Sequence, residues 1–147
     1  MAKVLVIFNS MTGNTEAAAR EVAKGAEEAG AQVVLVTARK ATPENLAACD
    51  AVALGSYDAF SYMGGDLKDF FDRTLYPTQG KITDKPYVGF VTHGGGGGAI
   101  KSVESLAGAL HLKKAAPSVS VKGRPDENAA GELRALGAKL VQACAAK

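Results

Sequence analysis

Hydroxyl, amide and glycine side chains cluster in six consecutive residues directly after an apolar stretch near the N-terminus. These residues are Ser10, Met11, Thr12, Gly13, Asn14 and Thr15. A helix that begins at Asn14 leaves the backbone amides of its first turn without intrahelical partners, and its dipole makes that end positive. The hydroxyls add donors, and Gly13 allows a close turn. The loop is therefore predicted to bind an anion such as a phosphate.

Residues that are missing from this loop indicate which type of anion it would bind. It contains no Lys or Arg, which favours a permanently held phosphate monoester over a transferred phosphoryl group. The Gly-Lys-Ser/Thr of a P-loop and the three spaced glycines of a dinucleotide fingerprint are both missing. A purely structural interpretation stays open, because Ser, Thr and Asn also cap helices and form turns.

The segment from Ser10 to Glu16 resembles the FMN phosphate loop of the flavodoxin family, in which Ser-x-Thr-Gly-Asn-Thr-Glu follows an apolar first strand. The resemblance covers essentially the whole chain and is strongest in this loop. It implies FMN as the cofactor, a role in electron transfer, and a sheet with strand order 2-1-3-4-5 whose ligand lies at the carboxyl ends of the strands.

A second candidate segment, Gly55 to Met63, gathers three aromatic residues in a chain that is only 6% aromatic. A flat ring could stack on these side chains, although they could instead turn into the core. Together with residues 67–72 the segment resembles the WrbA-type NAD(P)H:quinone oxidoreductases of the same superfamily. Compared with electron-carrier flavodoxins, Ser61 replaces a glycine, and a residue other than glycine is expected to resist positive φ. The candidate cofactor contacts are Ser56, Tyr57, Asp58, Ala59, Phe60 and Tyr62.

The third candidate segment is the glycine run, whose candidate contacts are Thr92, His93, Gly94, Gly95 and Gly96. Glycines let backbone amides approach a ligand closely, and donors near the flavin's pyrimidine edge would tune the cofactor. His93 could donate to the flavin or to a substrate, or it could be an ordinary loop histidine. A flexible surface loop is the alternative interpretation of the run.

These loops need a scaffold, and hydrophobic patterning predicts one in which strands and helices alternate. Strands are predicted at residues 3–8, 32–37, 51–55, 86–92 and 117–121, and helices at 14–30, 43–48, 66–74, 100–110 and 126–145. Alternation of this kind requires right-handed crossovers and a parallel sheet covered on both faces. The fold class is therefore a doubly wound five-stranded α/β sheet in three α/β/α layers, as the resemblance also implies.

Composition favours one globular domain over residues 1–147, because 47% of the residues are hydrophobic and 22% are charged.

No apolar stretch approaches the length of a membrane span, and we expect a cytoplasmic protein with two structural, reduced cysteines. Residues 101–147 carry eight basic and four acidic residues, without the aromatic interleaving of a nucleic-acid site. No metal-ligand cluster and no nucleophile–base pair are visible.

Two functions remain open at this point. The first is an electron shuttle between redox partner proteins, which the short chain favours. The second is an NAD(P)H-dependent quinone or flavin reductase that serves a small planar acceptor, which the slightly basic net charge of +2 and the aromatic-free glycine run favour. A phosphoacceptor receiver is excluded, because the first predicted strand ends in Phe8-Asn9-Ser10 rather than in an acidic pair.

Overall fold

The computed structural model describes residues 1–145, which form a parallel sheet with helices on both faces. The strands are β1 (Lys3–Asn9), β2 (Gln32–Thr37), β3 (Ala51–Ala59), β4 (Tyr62–Met63), β5 (Pro86–His93), β6 (Lys113–Lys114) and β7 (Val119–Lys122). The helices are α1 (Asn14–Glu28), α2 (Pro43–Ala48), α3 (Gly65–Thr78), α4 (Ala99–Ala109) and α5 (Glu127–Ala145). The predicted alternation of strands and helices is thereby confirmed.

The sheet order confirms the predicted arrangement 2-1-3-4-5, in which the fourth predicted strand corresponds to β5 and the fifth to β6 and β7. The central path runs β2-β1-β3-β5, and all of these pairs are parallel. The last predicted strand, 117–121, is divided: β6 pairs with the start of β5, and β7 pairs with its end. Pro117 lies in the break because proline has no amide to donate to a ladder, and the neighbouring Ser118 hydroxyl donates to Glu104 at 2.7 Å.

Two hydrophobic clusters lie on opposite faces of the sheet and define the three layers. One joins alternate β1 residues such as Val6 to α1 and α5. The other joins Leu5 and Ile7 to α2, α3 and α4. Successive residues of β1 are almost fully buried because both of its faces are covered.

The two helices on the first face pack backbone to backbone through glycines. A Cβ atom added to Gly25 of α1 would collide with the carbonyl oxygen of Arg134, and one added to Gly137 of α5 would collide with that of Val22. The Arg134 side chain also forms an ion pair with Glu21 at 2.9 Å. This close packing fixes α1, and with it the loop that precedes α1.

Helix boundaries differ from the predictions by a few residues for local reasons. Helix α1 ends at Glu28 rather than at residue 30, because Gly30 adopts φ 99° and stops the helix. Helix α3 continues to Thr78, four residues beyond the prediction. Asp126 precedes α5 and caps it, accepting from the Ala129 amide at 2.8 Å. No helix among residues 1–145 is both long and apolar enough to cross a bilayer.

Candidate functional site

The β1–α1 loop presents unpartnered amides at the start of α1. Gly13 precedes the helix with φ 99°, a left-handed conformation that disfavours a side chain. Its own amide donates to the Ser10 hydroxyl at 3.1 Å, which closes the loop. Within residues 1–145, no hydrogen bond engages the first-turn amides of Asn14, Thr15 and Glu16. The predicted anion-binding geometry is therefore present, with three donors free at a positive helix end.

A buried hydrogen bond connects this helix turn to the end of β5. The side-chain oxygens of Thr15 and Thr92 lie 2.6 Å apart, and both residues are almost fully buried. The Thr15 hydroxyl therefore already has a protein partner, whereas Thr12 is exposed on the loop. Of the loop hydroxyls, that of Thr12 is more available to an external ligand.

All three predicted segments meet at one cavity of about 190 Å³ at the carboxyl edge of the sheet. Its lining comprises Thr12, Asn14, Thr15, Tyr57, Asp58, Thr92, His93, Gly94 and Gly123. The contribution of Gly123 was missed by the sequence analysis. The same rule that places ligands at strand ends could have found it, because Gly123 follows the last strand directly.

His93 lines this cavity and carries a buried polar atom. The Nδ1 atom of His93 is buried and has no hydrogen-bond partner within the described chain. The other edge of the ring faces Gly97, where an added Cβ would lie 3.5 Å from Cδ2. Among the described residues of the lining, His93 alone carries an unpaired buried side-chain polar atom, which is costly to a folded protein.

The second segment is not the loop that the sequence analysis predicted. Strand β3 extends to Ala59 instead of ending at Gly55, and it forms an antiparallel hairpin with β4. Pairing of β3 with β5 continues as far as Tyr57 and Thr92, which explains the extension. The turn of the hairpin is Phe60–Ser61, with φ values of 56° and 64°. Two positive φ values at adjacent turn residues are the pattern of a type I′ turn.

Ser61 therefore adopts the positive φ that a residue other than glycine was expected to resist. Asp58 explains how, because its Oδ1 accepts from the Ser61 amide at 2.7 Å. The other carboxylate oxygen accepts from the Ala99 amide at 3.4 Å, at the start of α4. Asp58 thus connects the hairpin to the helix that follows the glycine run.

The glycine run packs closely against the hairpin and the last strand. A Cβ on Gly98 would lie 3.0 Å from the Cβ of Ser61, and one on Gly97 would lie 2.9 Å from the Ser120 hydroxyl. Gly97 also has a φ of 77°. At least these two glycines are therefore required by space and by backbone conformation, beyond any role in binding.

The remaining candidates lie around the cavity rather than in its lining. Phe60 is fully exposed at the hairpin tip, and Met11 and Tyr62 are also exposed. Ser56 is fully buried, where its hydroxyl donates to the Tyr57 carbonyl and accepts from the Gly64 amide, each at 2.7 Å. The candidates outside the lining are Ser10, Met11, Gly13, Ser56, Ala59, Phe60, Tyr62, Gly95 and Gly96. The described residues contain no cluster of three metal-ligating side chains.

Comparison with known proteins gives consistent matches. A family model described as Flavodoxin matches residues 6–141. A curated flavodoxin of Aquifex aeolicus (strain VF5) is 38% identical over 99 residues, which are 67% of this chain and 54% of that relative. The chain therefore spans about half the length of this curated relative.

Two solved structures share the fold at lower identity. A flavodoxin from the domain Archaea is 22% identical with a TM-score of 0.90, and the match covers 97% of this chain and 99% of that one. A WrbA-like flavodoxin from Agrobacterium tumefaciens is 20% identical with a TM-score of 0.81, covering 99% of both chains. Both types of protein that the sequence resembles thus share this architecture.

Proposed function

Because this chain belongs to the flavodoxin family, whose members bind FMN and transfer electrons, we propose that it carries electrons between redox partner proteins as a single domain. The observation that supports this most is the cavity at the carboxyl edge of the sheet, where the free amides of α1 meet the β3 and β5 ends. When bound, FMN supplies one- and two-electron redox chemistry.

The residues present fit the phosphate group of FMN. A phosphate monoester needs several hydrogen-bond donors, and the amides of Asn14, Thr15 and Glu16 together with the Thr12 hydroxyl supply them without a charged side chain. Gly13 keeps the approach free of a side chain. We assign to these residues the retention of the cofactor, because neutral donors hold a phosphate without promoting its transfer.

The other two segments would hold the remainder of the cofactor. Tyr57, Asp58 and Thr92 enter the cavity from the strand ends, and Gly94 contributes backbone without a side chain. His93 lines the same cavity and would contact the ligand from the end of β5. We infer that these residues orient the flavin and exclude water from it, while Phe60 at the exposed hairpin tip adds an aromatic surface beside the cavity.

The alternative function is an NAD(P)H-dependent quinone or flavin reductase. One observation favours it: residues 94–98 are all glycine, so this loop sets no aromatic side chain over a bound ring. An uncovered ring face would admit a small planar acceptor or a nicotinamide. The electron carrier is preferred because the family model and the curated relative that match the chain are both described as flavodoxins.

Anaerobic titration of the FMN-loaded protein with NADPH and NADH separates these functions. A carrier keeps its oxidised flavin absorbance for many minutes with either nucleotide, and loses it only when a reductase protein is added. Rapid bleaching by NADPH alone would overturn the carrier proposal in favour of the reductase. We also propose a cytoplasmic location.

A further inference from the structure

Two basic residues flank the cavity at the end of the last strand. Lys122 ends β7, Arg124 lies two residues further, and Gly123 between them lines the cavity. Both side chains belong to exposed residues, and within residues 1–145 neither one forms an ion pair or a hydrogen bond. We call Lys122 and Arg124 the basic rim.

Strand register brings the basic rim next to the candidate cofactor site. His93 and Lys122 are partners in the parallel β5–β7 ladder. Partnered residues of neighbouring strands project from the same face of a sheet. The Gly123 amide donates to the His93 carbonyl at 2.8 Å, which fixes the segment against β5. Lys122 therefore lies beside His93, and Arg124 directly follows Gly123, so both residues adjoin members of the cavity lining.

The acidic residues around the rim are partly engaged elsewhere. Asp126 caps α5 through one carboxylate oxygen, and Glu127 lies 3.9 Å from Arg134. Asp58 accepts from two backbone amides, as described above. Glu132 remains exposed one turn further along α5. The positive charge nearest to the cavity is thus left without a partner within the described chain.

From this arrangement we infer that the basic rim docks an acidic surface of a redox partner protein. The inference rests on the proposed carrier function and adds the electrostatic character of the partner. Both cations are exposed at the surface, which suits a solvated contact between proteins. Opposite charges on the two surfaces would speed encounter and orient the partner toward the cofactor.

A small anionic ligand fits the rim less well. The groove of about 280 Å³ that contains Lys122 and Arg124 is also lined by Asp126 and Glu132. Two carboxylates in the same groove would repel a nucleotide phosphate, whereas a protein surface can place its acidic groups over the cations alone. The described part of the chain offers no closed cationic pocket there.

The test measures binding of the oxidised, FMN-loaded protein to a [2Fe–2S] ferredoxin chosen for its large negative charge, by ¹⁵N chemical-shift titration. The rim variant is Lys122→Glu with Arg124→Glu. The control variant, Lys24→Glu with Lys139→Glu, makes the same change in net charge at exposed positions further along α1 and α5. Each protein is titrated at low and high salt, and a positively charged c-type cytochrome serves as a second probe.

We expect the rim variant to bind the ferredoxin at least about tenfold more weakly at low salt, with little remaining salt dependence. The control variant should stay within about twofold of the wild type, since its charges lie away from the contact. Shifts in the wild type should centre on residues 93–98 and 122–124.

Equal weakening by both variants would overturn the inference, because net charge alone would then explain binding. So would failure of the wild type to bind the ferredoxin, or equally tight binding of the cytochrome. A rim variant that loses NADPH affinity while still binding ferredoxin would assign the rim to a nucleotide. Separate FMN titrations of the same proteins distinguish these outcomes from failure of the proposed function, since both variants should retain FMN.

Discussion

The hydroxyl oxygens of Thr15 and Thr92 lie 2.6 Å apart in the interior, joining the first turn of α1 to the end of β5. These two elements also carry residues that line the cavity, Asn14 and Thr15 on α1 and His93 on β5. The hydrogen bond therefore couples the stability of the fold to the geometry of the candidate site.

Replacing Thr92 with Val should test this coupling. The substitution keeps the shape of the side chain but leaves the buried Thr15 hydroxyl without its partner, which should cost about 1–3 kcal/mol in the free energy of unfolding. FMN affinity should fall in parallel. Thr92→Ser keeps the hydroxyl and serves as the control in urea denaturation. Unchanged stability of Thr92→Val would show that the hydrogen bond contributes nothing.

Gly13→Ala should destabilise the loop through its backbone conformation. Its φ of 99° is unfavourable for any side chain, and the expected cost is about 1–2 kcal/mol. Gly131→Ala is the matched control, because an added Cβ there meets nothing within 4 Å inside helix α5. It should stabilise the protein by about 0.5–1 kcal/mol. If both variants shift the denaturation midpoint in the same direction, the conformational argument fails.

Substitutions at Ser61 and Asp58 in the hairpin turn should change the stability of the protein in opposite directions. Ser61→Gly removes the cost of a left-handed backbone and should stabilise the protein by about 1 kcal/mol. Asp58→Ala removes the acceptor that holds the Ser61 amide and should destabilise it by about 1–2 kcal/mol. In the double variant the loss should be smaller than the sum of the single effects, because a glycine turn needs less support. If the change in the free energy of unfolding of the double variant equals the sum of the two single changes, Asp58 has no role in holding the turn.

Cys49 should be chemically inert near neutral pH. Burial raises the pKa of its thiol from 9.0 to about 11, so its thiolate is about 100-fold scarcer than that of an ordinary cysteine. In a Cys144→Ser variant, the remaining thiol should react with an aromatic disulfide reagent far more slowly than a free cysteine. Reaction at the rate of the free amino acid would contradict its buried placement.

The raised pKa of the Cys49 thiol also predicts a loss of stability at alkaline pH. The folded state has the higher pKa, so it favours the neutral thiol. Its contribution to stability is complete below about pH 9 and is lost as the pH rises toward about 11. Cys49→Ala should remove this part of the pH dependence in denaturation measured between pH 8 and pH 11. A variant that follows the wild-type curve would show that another group is responsible.

The sequence predicted the scaffold well because local and tertiary signals agree in it. Apolar runs such as Lys3–Asn9 are buried on both faces, and α1 ends within two residues of its predicted end. The start of α1 after Gly13 was also predictable, since a glycine and hydroxyl residues between a strand and a helix favour a turn that leads into the helix.

The second segment was mispredicted because its structure depends on distant partners. The extension of β3 to Ala59 requires pairing with β5, and the turn at Phe60–Ser61 is held by Asp58 against α4. A type I′ turn without glycine or asparagine gives no local sequence signal. The unpaired Nδ1 of His93 and the contribution of Gly123 likewise arise only when the strand ends are brought together.

The most direct test of the central claim compares FMN with riboflavin, which lacks only the phosphate. Apo-protein is titrated with each flavin, and binding is followed by quenching of flavin fluorescence. If the Ser10 to Thr15 loop holds the phosphate, FMN should bind at least about 100-fold more tightly, and Thr12→Ala should reduce that preference while the free amides of α1 retain the remainder. Equal affinity for FMN and riboflavin in the wild type would contradict the assignment of this loop.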